Sequence, residues 1–309
     1  MPVKRSGEQF AYLPSGIDIC YETFGRKADP AILLVMGLGG PMGWWSDEFC
    51  TQLAERGFRV IRYDNRDTGR STKLRQHRVS KADIVKAFVG RGSAPYTLDD
   101  LADDAIGLLD DLQIKRAHLV GISMGGMISQ TLAITHPDRF LSLTSIMSTT
   151  GRRTVGWQTP KVIPGMLASA GKTRESYIER SLKSAKMIGS PAYPEERDKA
   201  VARATETYDR GWIASGVARH MVAVLTQPDR TAALANLTIP TTVIHGKADP
   251  LVHISGGRAT AAAIPGTELI EIDGMGHDLP VELYETYIDA IVATAHKAVA
   301  RPRQGRATD

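Results

Sequence analysis

Short apolar runs alternate with helical patterns along the first half of this chain, and that alternation leaves few folds open. Residues 17–24 (IDICYETF), 31–36 (AILLVM), 58–64 (FRVIRYD) and 117–122 (AHLVGI) read as strands; 31–36 is apolar throughout, as a strand buried on both faces is. Residues 47–56 suit a short helix. Residues 97–113 set Leu98, Leu101, Ala102, Ala105, Leu108, Leu109 and Leu112 on one helical face, with Thr97 at the N-cap and Asp99 and Asp100 where they suit the helix dipole. A helix reaching about residue 136 and a strand at 142–148 (SLTSIMS) continue the run. Strands separated by helices call for right-handed crossovers and a largely parallel sheet covered on both sides.

From Thr149 to about Asp229 the alternation stops, and helix formers dominate. It resumes with strands at 241–246 (TTVIHG) and 268–273 (ELIEID) and a last helix over about 280–298. A segment that interrupts a sheet and hands the chain back to it is a cap, since the sheet is incomplete without the returning strands. The expected fold class is therefore α/β: a mostly parallel central sheet flanked by helices, with an α-helical cap between the strand at 142–148 and the strand at 241–246. Residues 1–148 and 230–298 form the core, 149–229 the cap, and 299–309 a basic tail expected to be disordered.

Composition narrows the functional classes. At 42% hydrophobic and 23% charged, 309 residues suit one large α/β domain and exclude a disordered or collagen-like chain. No apolar run approaches the roughly 18 residues of a membrane span, and no apolar stretch follows the basic N-terminus, so neither a span nor a secretory signal is expected. Cys20 and Cys50 are too few for a disulfide framework and suit a reducing, cytoplasmic setting. The net charge of +4 comes largely from the C-terminal tail, and a second basic stretch runs from Lys73 to Arg91. No nucleic-acid-binding motif accompanies either, so nucleic acid is not an expected partner.

Gly121-Ile122-Ser123-Met124-Gly125 is a G-x-S-x-G sequence. Composition alone gives about 0.16 such matches in a chain of this make-up, so its context carries the argument. The motif joins a buried strand to a helix, where a nucleophile elbow has to be, and two glycines relieve the crowding of so sharp a turn. Such a turn lifts the serine hydroxyl above the sheet edge at a helix N-terminus. A serine needs a base, and an imidazole base needs a carboxylate to hold its tautomer. Asp249 follows the strand at 241–246 in HGKADPLV, at the strand edge where ligand sites of open sheets collect. The other position available to the acid, after 142–148, reads STTGRR and contains none. His277 follows the last strand in DGMGHDLP. Acyl transfer also needs two N–H groups aimed at an oxyanion; the candidates are Met124, after the nucleophile, and Leu38, in the glycine loop after 31–36. His77, His118, His136, His220, His245, His253 and His296 read as structural or exposed. No metal-ligand spacing and no dinucleotide fingerprint is present, so no metal and no cofactor is expected.

LLVMGLGG, YDNRDTGRS, GISMGG, HGKADPLV and GMGHDLP, in that order, resemble the α/β-hydrolase superfamily over about residues 10–298, and within it the group containing aclacinomycin methylesterase and related actinobacterial lipases and esterases. The resemblance implies a Ser123, Asp249, His277 triad, an oxyanion hole from Leu38 and Met124, and carboxylic ester hydrolysis. Met36-Gly37 and Arg66-Asp67-Thr68-Gly69-Arg70-Ser71 depart from the commonest superfamily pattern, and the methylesterase-like group shares both. Asp64, Arg66 and Asp67 read as structural ties.

A small-molecule ester is the expected substrate. The cap is expected to roof Ser123, with Trp157, Met166, Met187, Trp212 and Met221 lining an apolar pocket. A perhydrolase or carbon–carbon hydrolase with the same triad, and a non-catalytic ligand-binding protein on the same scaffold, stay open. A serine at the elbow argues against dehalogenases and epoxide hydrolases, which use an aspartate there.

Overall fold

The computed structural model describes residues 2–167 and 173–300. Eight strands form one sheet: β1 (Gln9–Tyr12), β2 (Asp18–Phe24), β3 (Ala31–Val35), β4 (Arg59–Tyr63), β5 (Ala117–Ile122), β6 (Phe140–Ile146), β7 (Thr241–Gly246) and β8 (Glu268–Ile272). Their order is β1-β2-β4-β3-β5-β6-β7-β8. β1 and β2 run antiparallel to their neighbours, and β4 through β8 are parallel. The helices are α1 (Asp47–Glu55), α2 (Lys81–Phe88), α3 (Leu98–Asp111), α4 (Met124–Thr135), α5 (Ile163–Leu167), α6 (Arg174–Ile188), α7 (Arg197–Asp209), α8 (Ala214–Leu225), α9 (Thr231–Leu234), α10 (Ser255–Ala263) and α11 (Tyr284–Ala300).

β3 explains why its sequence is apolar at every position. Ala31, Leu33 and Val35 pack into the core that α3 and α4 cover, and Ile32 and Leu34 into the core beneath α1 and α11. All five are buried, and each of the larger side chains contributes about 1.5–3 kcal/mol by leaving water. α3 begins as its sequence predicts: Thr97 Oγ1 accepts the Asp100 N–H, and the Asp100 carboxylate accepts the Thr97 N–H at 2.7 Å. Cys20 and Cys50 are free thiols inside the core, and burial pushes both up to about 12.

Several features differ from the sequence expectation, among them α2, which lies within the basic stretch from Lys73 to Arg91. β6 starts two residues earlier than 142–148, where Phe140 pairs with Ala117 of β5, and ends two residues earlier, where Met147 turns out of the strand at φ 42°. β1 is an edge strand with Ala11 as its single buried side chain, so it carries no apolar signal. α10 has two glycines near its start, and Gly257 is required because a Cβ there would collide with the His245 ring. Among the described residues, no helix is long and apolar enough to cross a membrane. α11 runs to Ala300, and the rest of the basic tail, 301–309, lies outside the described residues.

α5 to α8 lie between β6 and β7, and the two ends of that segment meet where the Arg230 N–H donates to Thr150 O at 2.9 Å. Its helices are tied to the loop after β4 by buried ion pairs. Arg210 of the α7–α8 turn reaches the Asp64 carboxylate at 2.6 Å, and Arg219 of α8 grips Asp67 with two bonds of 2.7 Å. Burial opposes ionisation of Asp67, yet the Arg219 and Tyr96 hydrogen bonds hold its carboxyl below the usual carboxylate range. Arg66 pairs with Asp104 of α3. Asp64 also accepts the Met42 and Arg70 N–H groups, so all three charged residues act as ties.

Candidate active site

The turn between β5 and α4 is held in one shape from every side. Ser123 sits at φ 55°, ψ −120°, a region costly for a residue with a Cβ. Its N–H donates to Ile146 O, and its carbonyl accepts from Ser148 Oγ at 2.8 Å and from the Gly126 and Met127 N–H groups. A Cβ on Gly121 would overlap the Gly125 carbonyl, and one on Gly125 would overlap the Val35 carbonyl. Any side chain at either position would push backbone against backbone, so the strand-to-helix turn closes only with glycine at both.

Asp249, His277 and Ser123 arrive from three separate strand ends. The His277 ring lies between the other two, with Nε2 at 2.9 Å from Ser123 Oγ and Nδ1 at 2.7 Å from Asp249 Oδ2. A carboxylate can only accept, so Nδ1–H donates to it, and Nε2 is left with a lone pair facing the serine hydroxyl. The second oxygen of Asp249 accepts the Leu251 and Val252 N–H groups at 2.8 and 2.9 Å. The acid is buried, while Ser123 retains accessible surface.

Gly37 packs against the serine, since a Cβ there would stand 3.2 Å from Ser123 Cβ. Leu38 follows in a turn closed by the Gly40 N–H to Gly37 O, and Met124 opens α4. Among the described residues, neither the Leu38 nor the Met124 N–H donates to a protein acceptor. Both N–H groups belong to backbone segments that adjoin Ser123.

Four of the five apolar residues named for the pocket have described side chains. Met221 is half-buried one turn beyond Val217 on α8, and Val217 covers Gly39. Met187 is also half-buried and lies over Gly165. Trp212 packs with Tyr177 and Tyr208 within the helical segment, with ring centroids 4.4 and 6.2 Å away. Trp157 is 47% exposed and stacks on His253 at 4.6 Å. The contacts of both tryptophans are thus with residues outside the Ser123 cluster. The Met166 side chain lies outside the described residues.

Two groups that the sequence reading passed over reach the same site. The His277 N–H donates to Ile188 O at 2.7 Å, at the end of α6. Ser190 donates its hydroxyl to Asp278, accepts the Gly276 N–H at 2.8 Å, and so clamps the histidine loop. The other group is His220, whose ring touches the Leu38 turn. Only the position of Asp278 beside His277 was a sequence signal for either. Among the described residues, no group of three or more His, Cys, Asp or Glu side chains is arranged to hold a metal ion.

Burial pushes His118 and His220 down to about 4 and also lowers His245, so all three are neutral in the folded protein at pH 7. Their folded values lie below the unfolded value near 6.5, so the unfolded chain takes up protons first as pH falls. His118 and His220 are each expected to remove about 1.4 kcal/mol of stability per pH unit between pH 6.5 and 4, and His245 acts in the same direction. Urea unfolding at pH 7 and pH 5 measures this, and replacing His118 with a neutral residue should flatten the slope.

A family model described as the alpha/beta hydrolase fold matches residues 30–282. Rhodomycin D methylesterase of Streptomyces peucetius is 31% identical over 299 residues, covering 90% of this chain and 94% of that protein. The enzyme of the same name from Streptomyces sp. strain C5 is 32% identical over 301 residues, with the same coverage. Among solved structures, the enol-lactonase from Burkholderia xenovorans LB400 superposes with a TM-score of 0.73 at 23% identity, covering 93% of this chain and all of that one. With the sheet order and the family match in agreement, the chain belongs to the α/β-hydrolase fold family.

Proposed function

We propose that this protein is a serine hydrolase that cleaves carboxylic esters of apolar or medium-sized small molecules. The observation that carries the reading is the His277 ring bridging Ser123 Oγ at 2.9 Å and Asp249 at 2.7 Å. Two relatives named methylesterases, each matched over nine-tenths of this chain, support the ester class. Residues 1–148 and 230–298 are the catalytic core in this reading, and 149–229 the cap.

In the first half-reaction His277 Nε2 takes the Ser123 proton as Oγ attacks the ester carbonyl. Asp249 stabilises the imidazolium that results. The oxyanion accepts from the Leu38 and Met124 N–H groups, each worth ~3 kcal/mol of barrier. His277 then gives its proton to the departing alkoxide. Water then attacks the acyl carbonyl as it loses a proton to the same nitrogen, and His277 returns that proton to Ser123 Oγ as the acyl–oxygen bond breaks and the acid leaves. Every step uses side chains and backbone of this chain.

A fluorophosphonate probe separates this reading from a ligand-binding role: an enzyme is labelled covalently on Ser123, and a binder is not. Substrate shape is tested by a panel of esters varied separately in acyl and alcohol parts. With half-buried Met187 and Met221 as adaptable apolar walls, each buried methylene is expected to add up to ~0.8 kcal/mol of transition-state binding. kcat/KM should then rise about fourfold per methylene from acetate to medium-chain esters, and charged esters should be poor. A flat profile would sink the apolar pocket.

A further inference from the structure

We propose that His220, on cap helix α8, is a positioning residue that holds the oxyanion-binding turn in its working shape. The inference rests on the ester hydrolase reading and adds a residue to it. His220 is fully buried and 181 residues away from Gly39 in sequence. Its Nε2 lies 2.9 Å from Arg66 O, and its Nδ1 lies 3.2 Å from Gly39 N. A carbonyl only accepts and a backbone N–H only donates, so one neutral tautomer satisfies both: Nε2–H donates to Arg66, and the Nδ1 lone pair receives the Gly39 N–H.

The position of Gly39 makes this bond matter. Gly39 follows Leu38 directly and adopts φ 68°. The Gly40 N–H to Gly37 O bond closes the same turn, and Gly37 lies against Ser123. Anchoring the Gly39 N–H fixes the peptide plane between Leu38 and Gly39, and with it the direction in which the turn offers the Leu38 N–H. Val217, one turn before Met221 on the same helix, covers Gly39 from above. The ring itself is held edge-on to Tyr96, whose hydroxyl donates to Asp67, and the adjacent Arg219 grips that same carboxylate. The cap therefore reaches under its own roof and sets the floor of the site.

Two isosteres separate the two bonds. His220→Asn keeps an acceptor where Nδ1 stands and gives up the donor to Arg66. His220→Gln keeps a donor where Nε2 stands and gives up the acceptor for Gly39. The expected result is a fall in kcat of about 10- to 100-fold for His220→Gln, with KM within about twofold. His220→Asn should stay within about fivefold of the parent, and fluorophosphonate labelling of Ser123 should slow in parallel with kcat. Equal kcat losses in both variants, tracking their loss in Tm, would reduce His220 to a packing residue and overturn the proposal; so would a wild-type kcat in His220→Gln. Nitrogen-15 spectra of the histidines in the unmodified enzyme test the same point with no variant. A neutral ring protonated on Nε2 at pH 7 supports the proposal, and a proton on Nδ1 ends it. If the parent enzyme itself is not labelled on Ser123, it is the hydrolase reading that fails.

Discussion

Replacing Ser123 by alanine is expected to lower ester turnover by about 10⁴- to 10⁶-fold while leaving the protein folded. The hydroxyl oxygen is the one atom removed, and its hydrogen bond is to His277 Nε2. The supports of the turn are all backbone groups, the two glycines and the Ser148 hydroxyl, and these are untouched. The circular dichroism spectrum and Tm should match the parent, and fluorophosphonate labelling should vanish. Turnover within tenfold of the parent, with contaminating esterase excluded, would remove Ser123 from the mechanism.

Asp249→Asn should be almost as damaging, at about 10⁴-fold in kcat, for a reason written in the two sides of the carboxylate. One oxygen accepts the Leu251 and Val252 N–H groups, which requires that the amide oxygen of asparagine face them. The amide nitrogen is then turned toward His277. It can only donate, so Nδ1 must accept, and the ring proton moves to Nε2. A protonated Nε2 faces the serine hydroxyl with no lone pair to take its proton. Steady-state kinetics at pH 7 to 8 checks the loss. Retention of more than a tenth of parental kcat would show that Asp249 does not set the tautomer.

The sheet, the turn at Ser123 and the strand ends that carry Asp249 and His277 were legible because local chemistry forces them. Strands buried on both faces leave no polar positions, as in 31–36. An elbow leaves no choice but glycine at Gly121 and Gly125, and loops after parallel strands collect at one edge. β1 and α10 were not legible. One has a single inward side chain, and the other trades helix propensity for the close approach of Gly257 to His245. His220 and Ser190 were illegible for a different reason. Each acts through hydrogen bonds to segments far away in the chain, 181 residues in the case of His220 and Gly39 and 86 in the case of Ser190 and Gly276, and no periodicity records such contacts. Trp212 shows the converse, since a large apolar side chain in a helical segment also serves to pack that segment on itself.

The clamp between the end of α6 and the histidine loop bears on how such an enzyme can be rebuilt. Ile188 O receives the His277 N–H, Ser190 secures Gly276 and Asp278, and Arg210 and Arg219 close the far side on Asp64 and Asp67. A helical segment joined to the His277 loop in this way is not an interchangeable module. A chimera carrying another relative's segment between residues 149 and 229 inherits a working histidine only if the graft brings matching partners for both sets of bonds. Point changes on α6 and α8 leave both sets of bonds in place, whereas transplanting the segment whole puts all of them at stake.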